Sequence, residues 1–175
     1  MFSSRLPAAL APNAITRAAT ALRARGIPVL DLTETNPTAV GLAYPPQVLA
    51  PLAGAGAERY APDPLGLRSA REAVAREYER VGARVDPGQV MLTASTSEAY
   101  SLVFKLLCDP GDEVLVPQPS YPLFESLTCL EAVRARPYLL DYHGGWSIDR
   151  QSVDRALTSR TRAVLVVSPN NPTGS

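Results

Sequence analysis

The feature that most restricts this chain is a change of hydrophobic period at Asp86-Pro87-Gly88. Beyond that turn, short apolar runs alternate with helical stretches. Residues 90–93 read as a strand, 97–108 as a helix, Asp109-Pro110-Gly111-Asp112 as a turn and 113–116 as a second strand. The pattern continues with a helix over 121–130, an extended run over 133–140, a helix over 149–157 and the apolar run 163–167. That last run has no polar interruption, which predicts a strand buried on both faces of a parallel sheet. Four strands separated by helices predict an α/β fold with a mainly parallel sheet, because parallel neighbours need a crossover between them.

The upstream part lacks this alternation. Asn13 is placed to cap a helix whose apolar residues Ile15, Ala18, Ala19 and Leu22 recur at helical spacing, and Gly26 with Pro28 supplies its stop. Residues 27–32 read as extended, 33–46 as turn-rich and 47–52 as a short helix. The clearest periodicity spans 64–81, with Leu67, Ala70, Val74, Tyr78 and Val81 on one face and Arg71, Glu72, Arg76, Glu77 and Arg80 elsewhere. No internal repeat is visible, and residues 53–57 are the one Ala-Gly stretch.

Composition removes several function classes. Lys plus Arg and Asp plus Glu are 17 each, so no global field draws the chain to nucleic acid or an anionic membrane. The apolar runs are far shorter than the roughly 20 residues of a membrane span. Residues 1–30 hold Arg5, Arg17, Arg23 and Arg25 without an acid, yet Asn13 to Arg25 reads as an ordinary amphipathic helix rather than a targeting segment. Cys108 and Cys129 lie in apolar stretches without ligand spacing, and His143 is the single histidine. Free thiols of a reduced, cytoplasmic compartment are therefore expected, with no metal centre.

Three segments carry candidate chemistry. Ser95, Thr96 and Ser97 stand where strand gives way to helix, so free N–H groups, the helix dipole and hydroxyls converge as a phosphate would require. Taken alone, a hydroxyl there is first of all an N-cap. Tyr121, in Pro119-Ser120-Tyr121-Pro122, follows a strand's carboxyl end, where open parallel sheets bind ligands, and can stack on a flat ring or simply pack on the core edge. Asn171, in Asn170-Asn171-Pro172-Thr173-Gly174, leaves another strand end with its amide held by the following proline, in a motif that is also an ordinary turn.

In this order and spacing, together with Arg59-Tyr60-Ala61-Pro62-Asp63-Pro64-Leu65-Gly66-Leu67-Arg68 and the segment 109–114, these motifs resemble the class I/II aminotransferases, pyridoxal-phosphate (PLP) enzymes of fold type I. The resemblance runs from about Ala14 to Ser175. It implies an N-terminal arm and small-domain segment over 1–45, and over 46–175 the first half of a three-layer α/β/α PLP-binding large domain, truncated. It further implies amino-group transfer from an amino acid to a 2-oxo acid, with PLP as cofactor and a homodimer as the complete enzyme. Ser95, Thr96 and Ser97 would cup the cofactor phosphate, although glycine is frequent in the family where Thr96 stands. Tyr121 would stack on the pyridine ring, Asn171 would donate to its phenolate oxygen, and Tyr60 would reach the phosphate held by the partner subunit. Thr35 and Asn36 match the segment that touches the substrate carboxylate, where glycine is again frequent.

The family's cofactor-bonding lysine, its pyridine-nitrogen aspartate and its carboxylate-binding arginines follow the Asn-Pro-Thr-Gly loop. The resemblance therefore assigns no catalytic residue to these 175 residues, and an inactive fragment is the expectation. Lys105, the only lysine, is eight residues along the helix from Ser97, roughly 12 Å by helical rise, which suits a surface lysine. Glu98 reads as a first-turn acid, His143 as a turn residue and Trp146 as a packing anchor. The competing readings are a catalytically dead aminotransferase-like binding module, a PLP-dependent carbon-sulfur lyase on the same scaffold, and a nucleotide-binding α/β domain using the start of the 97–108 helix.

Overall fold

The computed structural model describes residues 3, 5, 6, 11–54 and 56–175, which form two compact units, Ala11–Leu92 and Thr93–Ser175, the latter with the described residues of the first ten. In the first unit, α1 (Ala14–Ala24) begins as expected: the Asn13 side chain accepts from the Thr16 N–H at 2.8 Å. It ends at Gly26, whose φ of +70° suits a residue without a side chain. Residues 27–32 make no ladder, and the short helix expected over 47–52 is two 3₁₀ turns, Pro46–Val48 and Ala50–Ala53.

Helix α2 (Arg68–Arg80) starts four residues later than its apolar period predicts. Asp63 takes the Leu65 N–H on its carboxylate and the Gly66 N–H on its carbonyl, which closes a turn in the position of a first helical turn. Gly66 is at φ +88°, and a Cβ there would lie 2.7 Å from the Leu92 Cβ, so both conformation and space exclude a side chain. Arg71 is the one buried residue described in this unit. Its guanidinium donates to the Gly66 carbonyl (2.9 Å), the Pro87 carbonyl (2.9 Å) and the Asp63 carboxylate (3.1 Å). One planar fork thus fastens the turn before α2 to the turn after it.

The second unit is the sheet. Helix α3 (Thr96–Leu107) precedes β1 (Glu113–Gln118), followed by α4 (Leu123–Leu130), β2 (Arg134–Tyr142), β3 (Trp146–Ile148), α5 (Arg150–Ala156) and β4 (Thr161–Val164). Strand order is β3-β2-β1-β4, with β1 parallel to both β2 and β4 and β3 antiparallel to β2. The expected mainly parallel α/β sheet is present. Side-chain alternation along β1 builds its two cores. Val114 and Val116 pack with Phe104 of α3 and Phe124 of α4 on one face, while Leu115 packs with Tyr138 and Ala156 of α5 on the other. This is the expected three-layer α/β/α arrangement.

Two strand expectations change and one strand is added. Residues 90–93 form no strand; beyond the local Val90 N–H bond to the Pro87 carbonyl, their backbone bond is Leu92 N–H to the Leu65 carbonyl at 2.9 Å, and an extended segment becomes a strand only where a ladder partner exists. The run 163–167 is not buried on both faces. Ala163, Leu165 and Val167 face the core beside Val114, whereas Val164 and Val166 are exposed, because β4 stands at the sheet edge with helical cover on one side. Strand β3 is absent from the sequence reading: the turn 143–145, with Gly144 at φ +79°, folds Trp146 back onto Tyr142 with ring centroids 5.3 Å apart.

Candidate functional site

Within the second unit an aromatic ladder links the early part of α3 to the loop that leaves β1. Tyr100, one turn into α3, lies edge-on to Phe124 at 5.1 Å, and Phe124 lies edge-on to Tyr121 at 6.0 Å. Phe124 is buried, so the ladder is anchored in the core while the Tyr121 ring, 45% exposed, forms its open end. A groove of about 350 Å³ runs beside that ring, lined by Ser120, Tyr121, Phe124, Glu125 and Pro137.

At the start of α3, Ser95 is extended and its hydroxyl accepts from the Glu98 N–H at 3.1 Å, while the Glu98 carboxylate takes the Ala94 N–H at 2.6 Å. These reciprocal bonds are capping chemistry, and they account for Glu98. Thr93 donates its hydroxyl to the Ser95 carbonyl at 2.9 Å, tightening the entry. The Thr96 and Ser97 N–H groups have no acceptor among the described residues. Two free N–H donors, with hydroxyls alongside, therefore stand at the positive end of a twelve-residue helix.

The third component is the loop leaving β4. Asn171 is exposed, with its amide open, whereas Asn170 is 4% exposed. The Asn170 side-chain N–H₂ donates to Thr173 Oγ1 at 2.9 Å and to the Pro119 carbonyl at 3.4 Å. The second bond ties the Asn171 loop to the loop that presents Tyr121. Sequence reading passed over Asn170, since nothing in an Asn-Asn doublet tells which amide turns inward. It likewise missed the Tyr100–Phe124 link, for which an aromatic one turn after the cap was the available signal.

Thr35, Asn36 and Tyr60 belong to the first unit. Thr35 and Tyr60 are exposed, Tyr60 at 92%. Asn36 Oδ1 accepts from the Thr38 N–H and hydroxyl at 3.1 and 2.7 Å, and its own N–H bonds Glu34. Lys105 donates to Glu131 at 2.7 Å and to Ser101 at 2.6 Å, and the hydrogen bonds that Glu131 accepts from Lys105 and from the Ser101 hydroxyl hold its carboxyl below its ordinary range. His143 is exposed at its turn, and Cys108 and Cys129 are free and half-buried. Burial pushes the Cys108 thiol up, away from a reactive thiolate. Among the described residues no cluster of three metal-ligating side chains occurs, and no helix is long and apolar enough to cross a membrane.

Free helix-terminal N–H donors, an exposed ring and an open amide suit a ligand that is both anionic and flat, the chemistry of a phosphorylated aromatic cofactor. The donor set thus fits PLP.

Comparison with known proteins gives the same direction. The model of the family "Aminotransferase class I and II" matches residues 31–175. An alanine aminotransferase of Mycobacterium tuberculosis is 37% identical over 158 residues, covering 88% of this chain and 37% of that protein. The glutamate-pyruvate aminotransferase AlaA of Escherichia coli is 33% identical over 164 residues, covering 92% and 40%. Among solved structures, an alanine aminotransferase from Pyrococcus furiosus superposes with TM-score 0.76 at 33% identity, over 92% of this chain and 42% of the other. A Thermus thermophilus aspartate aminotransferase superposes with TM-score 0.78 at 32% identity, over 100% and 46%. The chain spans about two-fifths of the length of these relatives, and with the family model covering most of it, the chain belongs to the class I/II aminotransferases, PLP-dependent enzymes of fold type I.

Proposed function

We propose that this chain supplies the phosphate cup and ring contacts of a PLP-dependent aminotransferase that moves an amino group from an amino acid to a 2-oxo acid and works as a cytoplasmic homodimer. The observation that supports this is a pair of links, the Tyr100–Phe124–Tyr121 ladder from α3 and the Asn170 bond to the Pro119 carbonyl, which connect the helix bearing the free Thr96 and Ser97 N–H groups, the loop of the open Tyr121 ring and the Asn171 loop. PLP, when bound, supplies the electron sink that lets a bond at the substrate's α-carbon break.

In this reading the Thr96 and Ser97 N–H groups, with the Ser95, Thr96 and Ser97 hydroxyls, hold the phosphate, and the α3 dipole favours its charge. The Tyr121 ring would stack on the pyridine and exclude water from it. The Asn171 amide donates to the phenolate oxygen and favours its charged form. Tyr60 reaches the phosphate of the partner subunit, in keeping with its exposure, and Thr35 and Asn36 meet the substrate carboxylate. None of these groups is a nucleophile for the cofactor, and Lys105 is engaged by Glu131 on the flank of α3, so the chain by itself is proposed to bind PLP without turning over amino acids. On this reading residues 1–45 are arm and small-domain segment, and 46–175 the first half of the large domain.

The test is a titration of PLP into the purified chain, followed by cofactor absorbance and by quenching of Trp146, the only tryptophan. Tyr121→Phe should retain affinity, and Tyr121→Ala should lose about fivefold, since an aromatic pair contributes on the order of 1 kcal/mol beyond its area. Absence of binding, or equal losses in both variants, refutes the reading.

A further inference from the structure

Asn170 stands out among the buried polar groups of the second unit because its burial is incompletely satisfied. Its side-chain nitrogen has two acceptors, whereas its Oδ1 is buried with no partner among the described residues; the Ser120 hydroxyl, on the loop it touches, is likewise buried without a partner among them. A buried orphan oxygen is unfavourable, so stability alone does not account for an amide here. What the amide provides is position. Its main chain closes the loop on itself, the N–H donating to the Ser175 carbonyl at 2.7 Å and the carbonyl accepting from the Gly174 N–H at 2.6 Å, so that Asn171 is held within this turn. Its side chain then reaches 51 residues back to the Pro119 carbonyl, two residues before Tyr121.

We infer that Asn170 is a positioning residue that couples two cofactor contacts, holding the Asn171 amide in register with the Tyr121 ring. This rests on the proposed PLP site. Asn170 touches no reacting group; it acts through the geometry of its neighbours, and removing it frees the Asn171 loop from the Tyr121 loop while leaving both contact residues in the chain. Losing the alignment of one hydrogen bond to a charged oxygen is enough for a loss of about tenfold in affinity.

The experiment compares wild type, Asn170→Ala, Asn171→Ala and the double variant by PLP titration of the whole chain, with inorganic phosphate as a second probe. Asn170→Ala should bind PLP about tenfold more weakly, with phosphate affinity unchanged because the α3 donors are intact. The absorbance band of bound PLP should shift as it does in Asn171→Ala, a signature that general destabilisation does not produce. In the Asn171→Ala background, Asn170→Ala should add less than about twofold, the non-additivity expected of residues acting through one contact. Thr173→Val, which removes one acceptor of the amide, should reproduce part of the effect if Asn170→Ala folds poorly. In the ligand-free protein, Asn170→Ala should also displace the amide resonances of Ser120 and Tyr121. Wild-type PLP binding together with additive effects, an unshifted band or unmoved Ser120 and Tyr121 resonances overturns the coupling alone. Failure of wild type to bind PLP overturns the site reading, and the coupling with it.

Discussion

Replacing Tyr138 by phenylalanine tests whether the sheet is fastened across its strands by a side chain as well as by its ladder. Tyr138, on β2, is 1% exposed and packs with Leu115 and Ala156; its hydroxyl crosses β1 to donate to the Leu165 carbonyl at 2.8 Å, just beyond β4. Tyr138→Phe keeps the ring and removes that bond alone. A net hydrogen bond contributes about 0.5–1.5 kcal/mol, and the abandoned carbonyl adds a desolvation cost, so a loss of about 1–2 kcal/mol is expected. Leu115→Ala, at a fully buried position in the same cluster, should lose about 2–5 kcal/mol and calibrates the scale. Urea unfolding followed by Trp146 emission reads both, with unchanged slope as the sign that only stability has moved. The variant carries a second signature. Burial raises the Tyr138 phenol above its ordinary value, so the folded state binds a proton that the unfolded chain releases, and stability falls as pH rises past about 10. Tyr100 is raised by burial too, so Tyr138→Phe should reduce this alkaline loss without abolishing it. A loss below about 0.3 kcal/mol with an unaltered alkaline limb would refute the account, because the bond would then be replaced by water at no cost.

Two further outcomes follow from the charged groups. Arg71→Met should loosen the turns at 63–66 and 87–89, seen as faster amide exchange at Leu65 and Gly88 with Trp146 emission unchanged; protection equal to wild type would mean that the fork fixes nothing. Asp112 is held below the ordinary aspartate range, first by the Arg162 hydrogen bond and then by the Asp109 N–H, so its contribution is complete above about pH 4 and disappears as pH falls through its lowered value. Arg162→Gln should therefore flatten the acid limb of stability, and an unchanged limb would assign acid sensitivity elsewhere.

The layered architecture was legible because β1 is buried on both faces: Val114, Leu115 and Val116 read as one apolar run, and helices before and after it had to supply two covers. The same logic failed for 163–167, where an equally apolar run is half-exposed. Composition reports what a strand tolerates, whereas burial depends on which neighbours exist, and β4 has a strand on one side only. Residues 90–93 fail for the same reason. Helix starts were misplaced where short polar side chains compete with the helix for backbone donors: Asp63 takes the Leu65 N–H and postpones α2 to Arg68.

The candidate site divides along a different line. Ser95, Tyr121 and Asn171 could be marked from sequence because Ser95 opens a helix while Tyr121 and Asn171 follow parallel strands, whose common direction carries both loops to the same edge of the sheet. What holds them there is non-local: Tyr100 against Phe124, Phe124 against Tyr121, and Asn170 against the Pro119 carbonyl, the last across 51 residues. No spacing rule announces such pairs, since each is an ordinary core residue until the fold brings its partner. The residues that meet a ligand are thus readable from local position, and the residues that aim them emerge only from packing. Asn170 and Asn171 show the difference in its smallest form, two identical side chains, adjacent in sequence, of which one turns outward with a free amide and the other inward as a brace.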